Sequence, residues 1–428
     1  MVFSSHLFIF YFLPVALALY YVLPRRLRHL QLTLVSYVFY GWANPIFMVL
    51  MAVSTLIDYV AGLAQVGRLN RKFFEPIELL PFGGPRSRAQ KTALILSICS
   101  NIGLLAFFKY FNFGIDSYNA LMQAVGLGHL QWETFFRVTL PLGISFYTFQ
   151  SLSYSIDVYR GEALAIRNPI DFACYVSMFP QLVAGPIIRF HEVAQQLRER
   201  TLTMEKFARG VAFFSFGLGF VFAKNFDSPY KSQSITEFWL RWHLSLSTWL
   251  RDNLYIALGG NRKGPVRTYA NLAMVMLLGG LWHGAAWNFV VWGAIHGGFL
   301  VIERLRGKQG FYSRMPAGLR VAFTFLIASL SWVFFRSPDL PVSVEYLASM
   351  LGVGAVQDGT GLISGLIYQP YFLAMMAIAA VLVWAAPQTW DFTRELTWSK
   401  AALSVVVLLL SVATMATQAF NPCIYFIF

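Results

Sequence analysis

Long apolar runs, separated by short polar segments, make up most of this sequence. Runs of spanning or near-spanning length lie at Leu7–Leu23, Leu30–Trp42, Pro45–Val66, Thr92–Tyr110, Pro141–Val158, Phe207–Phe222, Arg320–Phe335, Pro370–Ala386 and Ala401–Phe420, with a weaker, glycine-rich run at Val344–Leu366. A helix needs about 20 apolar residues to cross a bilayer. The pattern therefore predicts an all-α polytopic membrane protein. We expect Leu7–Leu23 to be a retained span, because it has neither a basic leader nor a small-residue cleavage site.

One apolar segment, Asp171–Ile188, does not fit a simple crossing. It contains Pro180, Gly185 and Pro186, and basic residues lie on both of its flanks. Positively charged loops stay on the cytoplasmic side, so both flanks cannot lie there if the segment crosses. We predict that this segment is re-entrant or broken between Pro180 and Pro186, which requires surrounding protein or a wet cavity.

Composition supports the membrane assignment and removes other classes. Of the 428 residues, 57% are hydrophobic and only 12% are charged, about half the charged share of a soluble domain. The net charge of +13 comes from Arg and Lys in short loops, which is typical of cytoplasmic loops and does not indicate nucleic-acid binding. The three cysteines show no paired spacing, so we predict neither a disulfide framework nor a metal site.

The run Pro141–Val158 is unusually polar for a membrane span. It contains Ser145, Tyr147, Thr148, Gln150, Ser151, Ser153, Tyr154 and Ser155. These side chains either hydrogen-bond to their own and neighbouring helices or line a polar tunnel, and the sequence leaves both explanations open.

Three of the seven histidines fall between Ser234 and Gly298, each among tryptophans and small residues. They are His243, His283 and His296. An imidazole inside a membrane is costly and is usually kept for a function, although hydrogen bonding between helices is the structural alternative.

The first part of this region predicts one helix from Ile235 to about Leu258. Ser234 and Glu237 have the spacing of a capping box, and Gly259-Gly260 would end the helix. His243 would lie on its tryptophan side. Arg262 and Lys263 follow directly; they are either an ordinary cytoplasmic loop or a grip for the phosphates of a nucleotide-bearing donor.

His283 closes the sequence Gly279-Gly280-Leu281-Trp282-His283, at the end of a predicted helix Thr268–Trp282. The glycines permit close approach of a ligand or a helix, and a buried imidazole that stays neutral near pH 7 suits a general base. His296 follows 13 residues later, which is about 20 Å along a straight helix. The two imidazoles can therefore meet only if the chain bends between them.

Taken together, these residues resemble the membrane-bound O-acyltransferase family, and most of all its bacterial alginate O-acetyltransferase branch. The resemblance rests on SITEFWLRWHLSLSTWLRDNLYIALGGNRKG and GGLWHGAAWNFVVWGAIHG. It also includes MVFSSHLFIFYFLP, PLGISFYTFQSLSYSIDVYRG, FPQLVAGPIIRF and the aromatic C-terminal tail, so it covers nearly the whole chain.

The resemblance implies a ring of transmembrane helices with re-entrant segments around a central tunnel, with residues 1–428 forming a single membrane-embedded domain. It implies a multi-pass protein of the bacterial inner membrane that takes acetyl groups from cytoplasmic acetyl-CoA, with no metal and no nucleic acid. The acetyl group would pass to an exported polysaccharide such as alginate, with the help of a periplasmic acetyltransferase partner protein.

Peptidoglycan O-acetylation is the nearest alternative, and a non-catalytic polysaccharide or ion conduit is an alternative from another class. Teichoic-acid D-alanylation fits less well, since its acyl group comes from a carrier protein.

The resemblance also assigns roles to residues. His283 matches the catalytic histidine of the family's Trp-His-Gly motif, His296 matches the second histidine, and we predict both to be catalytic. His283 would act as general base or transient acyl carrier. Residues predicted to line the tunnel in support are His243, Arg241, Trp242, Asp252 and Trp282. Apart from the resemblance, Arg262 and Lys263 are the candidate cofactor-binding residues, as the phosphate grip described above.

This chain departs from the family in one place. Relatives carry a further segment, including a YFDFSGY motif, between the counterparts of Phe216 and Asn225, where this sequence continues directly. Either the chain lacks one or two spans, or residues are missing from the sequence as numbered. We expect the second, because loss of tunnel wall would disrupt the fold, and a Cα–Cα step well above about 3.8 Å between residues 214 and 225 would reveal it.

Overall fold

The structure is a computed structural model in which every described element is helical. It describes residues 5–42, 44–69, 76–133, 136–182, 185–199, 203, 224–307, 312, 314–353, 365 and 368–417. The predicted run Phe207–Phe222 and most of the proposed junction near 216–225 lie outside the described residues. The prediction of a missing segment at that junction therefore stays a prediction.

The chain groups into two compact units. The first, here called the N-terminal unit, comprises Met1–Ala223 with Phe392–Phe428, and the second, called the histidine unit, comprises Lys224–Asp391. Helices of the N-terminal unit are α1 (Leu13–Val22), α2 (Arg28–Gly41), α3 (Ile46–Gln65), α4 (Arg88–Leu105), α5 (Phe111–Ala124), α6 (Ile144–Arg160), α7 (Pro169–Ser177), α8 (Phe179–Leu182) and α9 (Phe190–Arg198). The histidine unit contains α10 (Ile235–Trp239), α11 (Leu244–Leu250), α12 (Pro265–His283), α13 (Trp287–Leu305), α14 (Ala317–Arg336), α15 (Leu340–Met350) and α16 (Pro370–Ala385). A short α17 (Thr389–Phe392) and the final α18 (Trp398–Thr417) follow.

Three helical stretches of the described chain are long and apolar enough to cross a membrane, namely Ile46–Gln65, Arg88–Ala124 and Ala317–Arg336. Shorter apolar helices accompany them at Phe8–Val22, Pro370–Ala385 and Trp398–Ala413. The prediction of an all-α polytopic membrane protein is confirmed. The ring, the central tunnel and the single domain over residues 1–428 stay predictions.

The helix that begins at Arg88 is longer than the sequence indicated. The predicted run Thr92–Tyr110 ends at Tyr110, whereas α4 continues through a π-helical turn at Ala106–Tyr110 into α5. The whole stretch has 37 residues, which at 1.5 Å per residue is about 55 Å. A hydrocarbon core of about 30 Å cannot contain that length along its normal, so the stretch is longer than one crossing needs.

The segment Asp171–Ile188 is broken, as predicted. Helix α7 ends at Ser177, and the separate short helix α8 covers only Phe179–Leu182. The break begins at Met178, two residues before Pro180, where the side-chain amide of Gln181 donates to the freed carbonyl of Tyr175 at 2.7 Å. Helices of nine and four residues are too short to cross a bilayer.

Helix α6 buries almost all of its polar side chains. Ser155 Oγ lies 2.8 Å from Ser97 Oγ on α4, and Ser153 Oγ accepts the backbone N–H of Phe190 at 3.1 Å, at the start of α9. These contacts agree with the first explanation of the polar run, in which hydroxyls hold neighbouring helices together. A tunnel wall along α6 stays a prediction.

The predicted helix from Ile235 to Leu258 is wrong, because the chain breaks at His243. Its backbone φ is +46°, and the amide of the next residue, Leu244, donates to the carbonyl of Asn225 at 2.8 Å. The amide of Asp227 in turn donates to the carbonyl of Arg241 at 2.9 Å. Residues 225–227 thus take backbone groups that a continuous helix would use, and a π-helical turn at Arg251–Tyr255 follows α11.

The predicted start of that region is partly confirmed. Ser234 Oγ accepts the N–H of Glu237 at 3.0 Å, as an N-cap should. The carboxylate of Glu237 reaches back to the N–H of Gln233 at 2.9 Å, and not to that of Ser234 as a capping box requires. Ser234 therefore caps α10, but the reciprocal hydrogen bond of a capping box is missing.

Glycines set the spacing of the antiparallel pair α12 and α13. A Cβ on Gly280 would lie 2.3 Å from the carbonyl oxygen of Phe289, and one on Gly293 would lie 2.5 Å from that of Met276. A Cβ on Gly297 would meet the Ala273 backbone at 3.3 Å. Small residues let membrane helices approach this closely, and the approach fixes the positions of His283 and His296.

Candidate active site

His283 is the last residue of α12, and the chain reverses at once through Gly284, which has extended backbone, into α13. The imidazole is only half-buried. Four rings surround it, with centroid distances of 4.8 Å to Trp282, 5.0 Å to Phe335, 5.3 Å to Trp292 and 6.2 Å to His243. Tertiary packing thus holds the ring in place while part of it stays accessible.

The accessible part of His283 faces a cavity of about 320 Å³ within the histidine unit. Of the three predicted site histidines, His283 alone lines this cavity. Most of the lining is apolar, and its members are Thr236, Trp239, Leu240, Leu244, Leu246, Ser247, Thr248, Leu250, Arg251, Tyr255, Asn261, Leu272, Val275, Met276, Gly279, His283, Leu300 and Arg304. Such a volume fits a small-molecule site.

The cavity follows one face of α12. Its α12 members, from Leu272 to His283, recur at three- and four-residue spacing, and the eleven residue steps from the first to the last cover about 16 Å. Since α13 runs antiparallel and places Gly297 against Ala273, Arg304 lies towards the start of α12, away from His283. Arg304 therefore marks the end of the cavity opposite to the imidazole.

His296 is fully buried and does not line the cavity. The indole N–H of Trp239 donates to its Nδ1 at 3.2 Å, and its Nε2 lies 3.0 Å from Ser331 Oγ. Because an indole nitrogen only donates, Nδ1 carries a lone pair and Nε2 carries the proton. The Ser331 hydroxyl donates its own hydrogen bond to the carbonyl of Ala328 at 2.7 Å, so His296 is a neutral tautomer with both ring nitrogens hydrogen-bonded.

The predicted bend between the two histidines is present, since α12 and α13 form a hairpin. Trp292 packs against both imidazoles, with its centroid 5.3 Å from that of His283 and 4.9 Å from that of His296. Phe238 also stacks against the His296 ring, with a centroid distance of 5.9 Å and an interplanar angle of 15°. The geometry allows His296 to fix Trp239 and Trp292, which in turn border the cavity and His283.

His243 is buried at the break between α10 and α11. It adopts the left-handed backbone region, which is uncommon for a residue other than glycine, and its Nδ1 accepts the N–H of Leu246 at 3.4 Å as the cap of α11. Its ring centroid lies 6.0 Å from that of Trp282. Strained residues of this kind concentrate at functional sites, but in this position His243 caps a helix beside His283 and does not reach the cavity.

The other predicted site residues divide into two groups. Trp282 is buried against His243 and His283, and Trp242 stacks on Phe238 at 5.5 Å and 12°. Arg241 forms an ion pair with Glu237 at 2.8 Å, and Asp252 pairs with Arg251 at 2.7 Å. None of these four lines the cavity, so tunnel lining by them stays a prediction.

The basic residues of the cavity are not the ones that the sequence suggested. Arg262 and Lys263 are exposed in the turns after α11 and are absent from the lining, whereas Arg251 and Arg304 belong to it. Sequence reasoning missed Arg304 because an arginine at the end of a membrane helix also fits the ordinary positive-inside pattern. Only the antiparallel packing of α13 reveals its position.

One cluster of the described residues has the composition of a metal site. Ligand atoms of Asp157, Glu162 and His191 lie within 4.8 Å of one another. Asp157 Oδ2, however, already accepts the backbone N–H of His191 at 3.0 Å and lies 2.9 Å from its Nδ1. This pair anchors the first turn of α9, and the prediction that the protein uses no metal stays a prediction.

Comparison with known proteins gives a consistent family signal. The sequence model of the MBOAT, membrane-bound O-acyltransferase family matches residues 211–335. The chain is 38% identical to the probable alginate O-acetylase of Pseudomonas putida and 37% identical to that of Azotobacter vinelandii, in both cases over all of each chain. It is also 30% identical to the peptidoglycan O-acetyltransferase of Helicobacter pylori, over 83% of this chain and 81% of that protein.

The alignment with the Pseudomonas protein has 506 positions against 428 residues in this chain. At least 78 positions of the alignment therefore have no counterpart residue in this chain. Most of the histidine unit's site, including His243, His283 and His296, falls within the matched residues 211–335.

Proposed function

The chain belongs to the membrane-bound O-acyltransferase family and is a multi-pass membrane acyltransferase, and on this premise we propose that it acetylates an exported polysaccharide. It takes acetyl groups from acetyl-CoA on the cytoplasmic side of the bacterial inner membrane and delivers them to hydroxyl groups of an alginate-type polymer. A periplasmic acetyltransferase protein assists the delivery.

The observation that carries this proposal is the position of His283 on the cavity. The half-buried imidazole accepts the proton of the acceptor hydroxyl while the hydroxyl oxygen attacks the thioester carbonyl. The carbon–sulfur bond breaks, the acetyl group stays on the oxygen, and the proton passes from the imidazole to the sulfur of CoA. A positioned general base of this kind accelerates a reaction by about 10²- to 10⁴-fold.

The shape and charge of the cavity support a CoA thioester as donor. A mostly apolar cavity along one face of α12 suits the pantetheine arm, and about 16 Å of that helix separates the imidazole from the opposite end of the cavity. Arg304 and Arg251 at the lining suit phosphate groups, because guanidinium donors bind phosphate oxygens in pairs. Arg304, at the end opposite to the imidazole, also fits a cytoplasmic entrance.

The nature of the acceptor is proposed from the relatives. The Pseudomonas and Azotobacter proteins carry the name alginate O-acetylase, and the Helicobacter protein carries the name peptidoglycan O-acetyltransferase. An uronic-acid polymer is the first candidate, because those relatives align over the whole chain. Peptidoglycan is the second candidate, on the 30% identity to the Helicobacter protein.

The test uses inside-out membrane vesicles that contain the full-length protein and receive labelled acetyl-CoA. The wild-type protein should transfer label to an alginate-type polymer and not to peptidoglycan fragments. His283→Ala should abolish transfer, and His129→Ala, a substitution of an exposed histidine in another part of the chain, should not. Equal transport of polymer by both variants without labelling would instead identify a conduit, and preferential labelling of peptidoglycan would select the second acceptor.

A further inference from the structure

A carboxylate is buried in the N-terminal unit where two helices of membrane-spanning length meet. Asp58 lies on α3 and is 0% exposed. Its hydrogen-bond partners Ser97 and Asn101 belong to α4. Both helices are parts of stretches able to cross a membrane. An ionisable side chain at such a place is expensive and usually marks a proton or ion site.

The contacts of Asp58 are those of an ionised carboxylate. Ser97 Oγ lies 2.5 Å from Oδ1, and the amide nitrogen of Asn101 donates to Oδ1 at 2.9 Å and to Oδ2 at 2.8 Å. Both oxygens therefore act as acceptors, which is the role of the charged form. No lysine, arginine or histidine of the described chain pairs with this carboxylate. The negative charge has hydrogen bonds but no compensating positive charge.

Two further buried oxygens next to this carboxylate lack a hydrogen bond. They are Asn101 Oδ1 and Ser151 Oγ, whose residues are 1% and 0% exposed. Ser151, on α6, faces the Asp58 carboxylate without a hydrogen bond of normal geometry. Leaving a buried polar atom unsatisfied costs about 1–3 kcal/mol. Without an ion, the Asn101 amide nitrogen donates to the carboxylate and to the Ser97 carbonyl at 2.9 Å. A half-turn of the amide would give up these bonds and present Asn101 Oδ1 to a bound cation, beside Ser151 Oγ.

We propose that Asp58, Ser97, Asn101, Ser151 and Ser155 bind one dehydrated sodium ion. All of the donor atoms are hard oxygens, which favour hard cations over transition metals. A single positive charge neutralises the single carboxylate, whereas a divalent ion would leave a net charge inside the membrane. Because Ser151 and Ser155 belong to α6 and Ser97 and Asn101 to α4, the ion joins α3, α4 and α6.

The experiment measures the thermal unfolding midpoint of the full-length protein in detergent, in sodium, potassium or choline chloride at equal ionic strength. Binding to the folded state raises the midpoint with ligand concentration. The midpoint should therefore rise by several degrees and saturate in sodium chloride, and rise less in potassium chloride. Equal midpoints in sodium and choline would overturn the proposal. A midpoint that responds to acidification and not to sodium would do so as well, and would assign a proton to Asp58.

Ser151→Ala separates an ion site from a purely structural network. Its hydroxyl faces Asp58 without a hydrogen bond of normal geometry, so the midpoint in choline should change little. The sodium concentration for half-maximal stabilisation should rise about tenfold, because the ion loses one ligand. Asp58→Asn should remove the sodium response altogether. Ser100→Ala is the matched control, because that α4 hydroxyl bonds only to the Ser97 carbonyl at 3.0 Å. An unchanged sodium response in Ser151→Ala would contradict the proposal even if Asp58→Asn failed to fold.

Discussion

In the histidine unit, His283 is half-buried and lines a cavity of about 320 Å³. In the N-terminal unit, by contrast, Asp58 is fully buried and both of its carboxylate oxygens accept hydrogen bonds. Both residues belong to apolar sequence, and both are titratable. Aromatic rings position His283, and hydroxyl and amide groups position Asp58. The first arrangement leaves part of the imidazole on the wall of a cavity, and the second encloses the carboxylate completely.

The same contrast exists inside the histidine unit. His296 is as buried as Asp58, and its two nitrogens are both occupied, by Trp239 and by Ser331. His283 differs from it in access and not in chemistry. Catalysis needs a group within reach of the reacting atoms, so access to the cavity, and not burial of a histidine in a membrane helix, separates a catalytic candidate from a positioning one.

The largest expected effect tests that distinction directly. His283→Ala should lower the rate of acetyl transfer by about 10³-fold, which is within the range for loss of a general base. The thermal midpoint should change little, because the ring is only half-buried. Initial rates with labelled acetyl-CoA and thermal unfolding of the same preparation give the two values. A variant that kept more than a tenth of wild-type activity would exclude His283 as the catalytic base.

His296→Ala should give the opposite balance. Removing the ring leaves the indole N–H of Trp239 without its acceptor, at a cost of about 1–3 kcal/mol, and the midpoint should fall by several degrees. Transfer by the folded fraction should fall about 100-fold, because small displacements near a reacting centre have effects of that order. His296→Gln, which keeps an acceptor and a donor, should recover most of both losses. Full inactivity of the Gln variant at a normal midpoint would instead make His296 catalytic, as its sequence motif suggests.

Local sequence rules predicted the ends of elements better than their continuity. The Ser234 cap and the end of α12 at His283 follow from side chains close in sequence. The break at His243 does not, because it depends on Asn225 and Asp227, whose backbone groups bond to residues some 14 to 19 positions later. A helical pattern cannot reveal competition from another segment for the same backbone hydrogen bonds.

The site shows the same limit. His283 was identified from its glycine and tryptophan neighbours, and the cavity includes it. Arg262 and Lys263 are candidates for a phosphate grip because they are basic residues directly after the predicted helix, yet they are exposed and outside the cavity. Arg304 reaches the cavity only because Gly293 and Gly297 bring α13 against α12, and that long-range packing has no signal in the sequence around Arg304.

Two arginines therefore make a sharper test of the donor site. Arg304→Ala should raise KM for acetyl-CoA about tenfold with kcat unchanged, because a phosphate contact far from the reacting atoms stabilises ground state and transition state equally, and tenfold corresponds to about 1.4 kcal/mol. Arg262→Ala is the matched control and should change KM less than twofold. The reverse result would return the phosphate grip to Arg262 and Lys263.

The smallest expected effect concerns the N-terminal unit and should leave transfer chemistry untouched. The hydrogen bond from His191 to Asp157 raises the pKa of that imidazole above its usual 6.5. A raised folded-state pKa means that the stabilisation is fully present below the unfolded pKa and is lost as pH rises through the folded pKa. The wild-type midpoint should therefore fall by a few degrees at most as pH increases through that window. In His191→Gln, which cannot gain the charge, that step should be absent. Because the imidazole is partly exposed, high salt should reduce the step, and a step that persisted in the variant would assign it to another group.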